Sequence, residues 1–287
     1  MLQIGDIKIH LINDGNTLVD PGGAFGLVPR ALWSRYYTPE ENQLITMTET
    51  CLLVQIGDQN IVVDTGMGMK MTEKQMAIWH LTRPDGDLLA GLARLDIAPE
   101  DISLVINTHL HADHCSGNTR FNTRRTGVEA VFPNAKYVVQ RREYEDACQP
   151  NERTAATYHR INWDVLLRNK QMQLLDGDTE LASGVWGVMA PGHTPGHMAI
   201  RFESQGQHAL FTSDMSSYAI HFERLGWMTA YDVEPLITLE TKRKWQQWAL
   251  ETKATIIFPH DKQRPAGYLT KDDRGKTVIV SVDEEYV

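Results

Sequence analysis

Apolar and polar side chains alternate with a period of two over short stretches in both halves of the chain. Because successive side chains of a strand point to opposite faces of a sheet, each stretch predicts a β-strand. The predicted strands of the first half are 4–12, 51–56, 61–64, 103–107 and 137–140. Those of the second half are 171–175, 185–190, 198–202, 208–212 and 255–258.

Apolar residues at helical spacing predict helices at 87–95, 141–148, 153–169 and 238–252. The turn 57–60, Gly-Asp-Gln-Asn, predicts a hairpin between two of the strands. Two strand-rich halves with helices between and after them favour two sheets packed face to face and covered by helices. The chain has no repeat, low-complexity tract or long Gly/Ser linker, so we predict a single domain over residues 1–287.

Three segments, 13–49, 65–86 and 215–236, lack a regular pattern but are rich in aromatic residues and Met. Long loops of compact domains are usually functional or disordered, and large apolar side chains argue against disorder. We expect these segments to surround the active site as the rim of a pocket for an apolar part of a substrate. Packing against the core is the alternative that the pattern leaves open. The residues concerned are Phe25, Trp33, Tyr36, Tyr37, Met67, Met69, Met71, Met76, Trp79, Met215, Tyr218, Phe222, Trp227, Met228 and Tyr231.

The chain of 287 residues is 42% hydrophobic and 23% charged, which is the composition of a soluble globular protein. Its net charge of −9 disfavours nucleic acid as a partner. No stretch reaches the roughly 18 apolar residues of a membrane-spanning helix, so no membrane association is expected. Cys51, Cys115 and Cys148 are scattered, which fits a reducing compartment and predicts a cytoplasmic location.

The segment 107–114, Asn-Thr-His-Leu-His-Ala-Asp-His, follows a predicted strand and holds four side chains that can bind a metal. In an extended backbone, residues two apart point the same way, so His109 and His111 can reach one ion together. A following turn would direct Asp113 and His114 to a neighbouring point. Imidazole nitrogens and carboxylate oxygens are zinc ligands, and burying four such groups without a cation would be costly. The cluster therefore predicts a metal site.

Further ligands must come from other strand ends, because one cluster cannot complete two coordination shells. His193 lies in the turn 190–197, Ala-Pro-Gly-His-Thr-Pro-Gly-His, while Asp214 and His260 each follow an apolar strand. An α/β-type fold collects its site where strands give way to loops. Taken singly, each of these residues also fits a capping or turn position.

The His-x-His-x-Asp-His motif, the Pro-Gly-His-Thr-Pro-Gly-His turn, the strand-end Asp and the final His resemble the metallo-β-lactamase superfamily, as does the Asp-Thr-Gly turn at 64–66. The resemblance extends from about residue 50 to 261 and implies a four-layer αββα sandwich with the site at one edge between the sheets. It implies that His109, His111 and His193 hold one ion, that Asp113, His114 and His260 hold a second, and that Asp214 bridges both.

Expectations follow for three further residues near these motifs. Asp64 would support a ligand or a metal-bound water, with a simple turn-former before Gly66 as the alternative. His197 would serve in packing or in support of the site. Cys115 is expected to be a small buried residue.

Such a site implies hydrolysis. Two divalent ions, zinc in the first place with manganese, iron or cobalt as alternatives, would hold a bridging hydroxide by lowering the pKa of water towards ~7. The hydroxide would attack an electrophilic carbon or phosphorus, and Asp113 or Asp214 would carry the proton to the leaving group. His111 stands where the di-iron oxidoreductase branch of the superfamily has Glu.

Several short stretches resemble the N-acyl homoserine lactone lactonase and methyl parathion hydrolase-like group, namely 28–33, 39–42, 132–135, 176–179 and 230–232. Lactonases of this group often carry a Tyr three residues after the bridging Asp, where it contacts the substrate carbonyl. Ser217 occupies that position here and Tyr218 follows it. Tyr218 is therefore the expected catalytic tyrosine, and Tyr231 is the alternative.

The leading hypothesis is a dinuclear metal-dependent hydrolase of a lactone or related ester with an apolar tail. The first alternative is a phosphotriester or aryl-ester hydrolase of the methyl parathion hydrolase type. The second is a non-catalytic metal-binding sensor module, which predicts a broken ligand set, whereas none of the seven ligands is missing. The expected partner is a small-molecule substrate with an apolar portion, and the resemblance also implies a homodimer.

Overall fold

The computed structural model describes residues 1–40 and 42–282. Its strands are β1 Leu2–Ile4, β2 Ile7–Val19, β3 Ile45–Ile56, β4 Gln59–Val63, β5 Ile102–Ile106, β6 Thr119–Phe121, β7 Val128–Ala130, β8 Lys136–Gln140, β9 Met172–Leu175, β10 Thr179–Ala182, β11 Val185–Met189, β12 Met198–Ser204, β13 Gln207–Phe211, β14 Thr255–Ile257, β15 Ala266–Lys271 and β16 Thr277–Ser281. Glu41, in the stretch 39–42 that carries part of the resemblance, lies outside the described residues.

The α-helices are α1 Pro21–Phe25, α2 Arg30–Trp33, α3 Glu73–Trp79, α4 Leu88–Arg94, α5 Ala112–Cys115, α6 Arg141–Cys148, α7 Asp164–Arg168, α8 Ala219–Glu223 and α9 Pro235–Thr252. Short 3-10 helices cover Pro99–Asp101, Ser116–Asn118, Arg160–Asn162 and Ser213–Ser216. Proline at the start of α9 suits the first helical position because its missing N–H has no partner to lose there.

The strands form two seven-stranded sheets and a separate two-stranded pair of β6 and β7. The first sheet has the order β1-β2-β3-β4-β5-β8-β9, and the second has the order β10-β11-β12-β13-β14-β15-β16. Neighbours pair antiparallel except along β4-β5-β8-β9 and at β13-β14. The parallel strands bring their carboxyl ends to the same edge, which is the edge that carries the site.

The alternation of β3 shows how one strand supplies two different cores. Leu52 and Val54 face the second sheet and pack in one buried cluster with Phe202 of β12. Leu53 points to the opposite face, where it packs with Leu92 of α4. A strand that is buried on both faces reads as a continuous apolar run, as the segment 51–54 does.

Helices cover the outer face of each sheet. On the second sheet, Trp245 and Ala249 of α9 pack against Leu210 and Ile256. On the first sheet, α4 and α7 contribute to the corresponding cluster. The order helix, sheet, sheet, helix confirms the predicted four-layer αββα sandwich.

The predicted helix 153–169 is wrong over its first half. The side chain of Asn151 accepts hydrogen bonds from the backbone N–H groups of Arg153 and Thr154. Such side-chain bonds offer the backbone an alternative to a helix, so turns occupy this region. Helical structure begins only with the 3-10 helix Arg160–Asn162, which α7 follows.

The segments predicted to be irregular contain more regular structure than expected. In the segment 13–49, β2 continues to Val19, β3 begins at Ile45, and α1 and α2 lie between them. The segment 65–86 contains α3, and 215–236 contains α8. In addition, β10, β15 and β16 were not predicted, and the last two pair with each other.

We expect Phe202→Ala to lower the free energy of unfolding of the metal-free protein by about 3–5 kcal/mol, because Phe202 is fully buried between the sheets and its loss leaves a cavity. Urea titration followed by circular dichroism measures the change. Tyr268→Ala is the control, since Tyr268 lies in the same sheet but is 43% exposed. Equal losses in the two variants would contradict the assignment of the inter-sheet core.

Candidate metal centre

The seven predicted ligands lie together, each in a segment that follows a strand. His109, His111, Asp113 and His114 follow β5 of the first sheet, whereas the other three follow β11, β13 and β14 of the second sheet. The ligand atoms form two groups, and within each group they lie within 4.8 Å of one another. The first group is His109, His111 and His193, and the second is Asp113, His114, Asp214 and His260.

The local backbone explains how one short segment serves both groups. His111 has an extended conformation with φ −63° and ψ 152°, and α5 begins directly after it. The extended part directs His109 and His111 into the first group, and the helical turn carries Asp113 and His114 into the second. Both the shared direction and the turn agree with the spacing of the segment 107–114.

Asp214 lies between the two groups. Its Oδ2 is 3.2 Å from Nε2 of His193 and 3.5 Å from Nε2 of His114. Its Oδ1 is 2.9 Å from Nε2 of His260. One carboxylate therefore reaches ligand atoms of both groups, which is the position that a bridging ligand requires.

The chemistry of these side chains fits a metal centre. The Nε2 atoms of His109, His114 and His260 are buried and make no well-aligned hydrogen bond among the described residues; the carboxylate of Asp214 is the group that the last two approach. Unpaired buried polar atoms are rare in folded proteins because each costs about 1–3 kcal/mol. Imidazole nitrogens and carboxylate oxygens are the ligands that zinc and related divalent ions take, so a bound cation would satisfy all three atoms.

The protonation of the site is consistent with metal binding. Burial, together with the neighbouring imidazoles, lowers the pKa of His109 and of His111 well below the ordinary value. Burial alone would raise the pKa of Asp214, but His260, His114 and His193 hold it well below the ordinary value. Burial alone would lower the pKa of His114, His193 and His260, but the carboxylate of Asp214 raises it, to about 9 for His260. Because a metal binds the neutral imidazole and the ionised carboxylate, it must displace a proton from these three histidines.

Asp64 supports the site through His114. Its Oδ2 accepts hydrogen bonds from Nδ1 of His114 at 2.9 Å and from the hydroxyl of Thr108 at 2.8 Å. Its Oδ1 accepts from the backbone N–H of Thr108 at 2.8 Å. Asp64 has a φ of +54°, a left-handed conformation that Asp tolerates better than most residues. Of the two readings left open by the sequence, support of a ligand is the one that this geometry favours.

Two other histidines are oriented in the same way. Nδ1 of His193 lies 3.1 Å from Oδ1 of Asp232, and Nδ1 of His260 donates to the backbone carbonyl of Thr48 at 2.7 Å. An acceptor at Nδ1 leaves the lone pair of Nε2 free for a metal. Asp232 belongs to a stretch that carried the family resemblance, but nothing in its spacing assigned it this contact.

His197 and Cys115 have structural roles near the site. The carbonyl of Ala190 accepts from Nδ1 of His197, so Nε2 is the acceptor for the backbone N–H of Asp214 at 3.1 Å. His197 therefore holds the segment of Asp214, as expected of a supporting residue. Cys115 is fully buried and its thiol donates to the carbonyl of Leu110, which agrees with the expected small buried residue.

A cavity of about 250 Å³ opens onto both groups. Its floor includes His111, Asp113, His193, Asp214 and His260, and its walls include Val19, Met47, Trp79, Tyr218, Tyr231 and Val233. The predicted aromatic rim is thus correct for Trp79, Tyr218 and Tyr231. Tyr218 belongs to a buried satellite cluster as well as to the cavity lining. For Phe25, Trp33 and Tyr37 the alternative of packing holds, because they lie in that cluster and do not line the cavity. Their ring contacts with one another stabilise that cluster instead.

Tyr218 differs from Tyr231, the other tyrosine in the cavity lining. Its side chain is buried, and its hydroxyl has no hydrogen-bond partner in the part of the chain that the structure describes. Burial raises the pKa of Tyr218 well above its ordinary value, so the hydroxyl keeps its proton. Tyr231 is half exposed at the cavity wall.

Residues 46–247 match the family model of the metallo-beta-lactamase superfamily. The chain therefore belongs to the metallo-β-lactamase superfamily, and it is a metal-dependent hydrolase of that family. The chain is 26% identical over 271 residues to an N-acyl homoserine lactonase of Bacillus cereus, which covers 91% of this chain and 95% of that protein.

Two solved structures are similar over nearly the whole chain. A probable metal-dependent hydrolase from Staphylococcus aureus has a TM-score of 0.86 and 31% identity, and the match covers 98% of this chain and 99% of that one. AidC, a dizinc quorum-quenching lactonase solved with a hexanoyl-homoserine product, has a TM-score of 0.78 and 20% identity, with 98% and 97% covered. At 20% identity, the similarity to AidC shows a shared fold. Across the described helices, none has both the length and the apolar character needed to cross a bilayer.

We expect Asp64→Asn to lower the affinity of the protein for zinc by about 10–100-fold. Both oxygens of Asp64 accept from donors, so the amide of Asn must face either the N–H of Thr108 or Nδ1 of His114. The second contact would move the imidazole proton to Nε2, where it blocks the metal. Competition with a chromophoric chelator measures the affinity.

The matched control is Asp58→Asn, which changes the same side chain in the exposed hairpin turn between β3 and β4. This variant should bind zinc as the unchanged protein does. Wild-type affinity in Asp64→Asn would show that Asp64 is only a turn-former.

Proposed function

We propose that this protein is a dinuclear metal-dependent hydrolase that opens a lactone or related ester with an apolar tail, of the N-acyl homoserine lactone type. The observation that carries the proposal is the cavity itself, in which an apolar wall meets a floor of candidate ligands. A lactone with an acyl chain has the matching chemistry, because its reactive carbonyl is polar and its tail is not. The named lactonases among the relatives support this substrate class.

In this proposal His109, His111 and His193 hold one ion, Asp113, His114 and His260 hold the second, and Asp214 contacts both. Two divalent ions in such a site supply an activated water and polarise the oxygen that gains charge. Zinc fits the His and carboxylate ligands best, and manganese, iron or cobalt fit as alternatives. The supporting contacts at His114, His193 and His260 fix their Nε2 atoms for this purpose.

The opened ring leaves an alkoxide that needs a proton. Asp113 and Asp214 both line the cavity, and the side chain of Asp113 is 22% exposed there. Either carboxylate can take up the proton that the attacking water loses and then donate it to the leaving oxygen. No other catalytic carboxylate is needed.

In this proposal Tyr218 contacts the substrate directly. Its hydroxyl, which keeps its proton and is unpaired within the described residues, donates a hydrogen bond to the carbonyl or leaving oxygen of the ester. Such a donor stabilises the charge that develops on oxygen in the transition state. Tyr231, at the cavity wall, contacts the tail instead.

Three further expectations stay predictions alongside this function. The chain forms a single domain over 1–287, it acts as a homodimer, and it works in the cytoplasm on a small molecule. They are independent of the chemistry proposed for the site.

Elemental analysis and a substrate panel on one preparation test the proposed function. We expect two divalent ions per chain and the highest kcat/KM for acyl lactones with longer tails, ahead of a phosphotriester, an aryl ester and a thioester. Asp214→Asn should bind fewer than two ions and lose about 100-fold or more of this activity, since Asn offers one oxygen in place of two.

Failure of the fully metal-loaded protein to open any acyl lactone would refute the substrate class. A preference for the phosphotriester would favour the first alternative. Full activity in Asp214→Asn would refute the proposed centre as a whole.

We expect Tyr218→Phe to lower kcat/KM for the lactone about tenfold, which corresponds to about 1.4 kcal/mol of transition-state stabilisation. The variant removes only the hydroxyl, so metal content should stay at the wild-type level. Tyr231→Phe is the comparison and should change kcat/KM by less than about threefold, because Tyr231 is half exposed and is assigned to the tail of the substrate rather than to its reacting oxygens. A larger loss in Tyr231→Phe would transfer the substrate contact to Tyr231.

A further inference from the structure

Glu143 of α6 is a fully buried carboxylate that is not itself a candidate ligand. It accepts hydrogen bonds from three donors: two lie next to ligands of the first group in the chain, and the third, Tyr158, packs against His111. Burying a carboxylate is costly unless several donors compensate it, so three well-placed donors indicate a specific structural role.

The first donor is the backbone N–H of Leu110, which lies 2.9 Å from Oε1. Leu110 separates His109 from His111, so this bond fixes the extended backbone that directs both imidazoles to the same point. A backbone N–H can only donate a hydrogen bond. The side chain that faces the N–H of Leu110 must therefore supply an acceptor, as Glu143 does.

The second donor is the hydroxyl of Thr194, 2.5 Å from Oε2. Thr194 directly follows His193, the third ligand of the first group. Two residues further on, a Cβ on Gly196 would come within 2.2 Å of the backbone nitrogen of Glu143. The turn that carries His193 thus packs directly on the first turn of α6, and only glycine permits that approach.

The third donor is the hydroxyl of Tyr158, 3.0 Å from Oε1. The ring of Tyr158 lies 5.0 Å from the ring of His111, and the two residues form a β-bridge. In addition, the N–H of Ala112 donates to the carbonyl of Thr157. Tyr158 therefore restrains His111 through both the backbone bridge and the ring contact.

We propose that Glu143 is a positioning residue that holds His109, His111 and His193 at ligand spacing and thereby sets the metal affinity of the first group alone. The inference rests on the dinuclear centre of the proposed function. Ligands held in place before the metal arrives lose less conformational freedom on binding. The second group takes its support from Asp64 and Thr48 instead, which do not contact Glu143.

Two substitutions of Glu143 separate the effect of its hydrogen bonds from the effect of its negative charge. Glu143→Ala removes all three bonds. Glu143→Gln retains them, because its carbonyl oxygen can face Leu110 and Tyr158 while its amide donates to the hydroxyl of Thr194, which can accept. A purely positioning role therefore predicts rescue by Gln.

The test is stepwise zinc binding by the metal-free full-length chain, followed by competition with a chromophoric chelator, with cobalt spectra as a second readout. We expect two binding steps in the wild-type protein. In Glu143→Ala one step should keep its affinity and the other should weaken about 10–100-fold, whereas Glu143→Gln should stay within about threefold of wild type in both.

Glu223→Ala is the matched control. Glu223 is also a buried carboxylate, but it binds Arg264 and the N–H of Ile279, away from the first group. This control should lower the free energy of unfolding and leave both zinc steps unchanged. If Glu143→Ala does not fold, Thr194→Val removes one bond at nearly constant volume and should weaken the same single step several-fold.

The possible results are distinguishable. A wild-type protein without two steps would refute the proposed centre and, with it, this inference. Two wild-type steps together with unchanged affinities in both Glu143→Ala and Thr194→Val, or equal weakening of the two steps, would refute the role of Glu143 alone.

Discussion

Five imidazoles and two carboxylates are brought into one buried place, and the rest of the structure depends on how their charges and unpaired atoms are accommodated. Buried polar groups are costly without partners, and here three imidazole nitrogens make no well-aligned hydrogen bond among the described residues. The surroundings fix the opposite nitrogen of His114, His193 and His260 with acceptors. The strand ends, the tight turns and the supporting carboxylates all serve to hold this arrangement.

The same arrangement shapes the substrate cavity. The candidate ligands occupy its floor, and apolar side chains such as Met47 and Trp79 form its walls. Electrostatic interactions are stronger in such poorly solvated surroundings than in water. The aromatic-rich segments have two functions, because Phe25 and Trp33 stabilise a satellite core while Tyr218 and Tyr231 reach the cavity. The sequence pattern alone could not separate these functions, since both require large apolar residues.

The sequence predicted the local part of the site well. The spacing of the segment 107–114 gave both the shared direction of two histidines and the following turn. His193, Asp214 and His260 could be placed only through their strand-end positions and the family resemblance, because they are distant in sequence. Supporting residues such as Glu143 were missed, since nothing marks a carboxylate on a helix as buried. The helix 153–169 failed because local Asn and Thr hydrogen bonds outweighed apolar spacing.

Because β5 belongs to one sheet and β11, β13 and β14 belong to the other, the two candidate ligand groups draw on both layers of the sandwich. Neither layer by itself provides a complete set of donor atoms. An ion bound here would link the two layers, because its full set of ligands exists only when the two halves of the chain are docked. Separation of the layers would therefore take both ligand groups apart and release the ion.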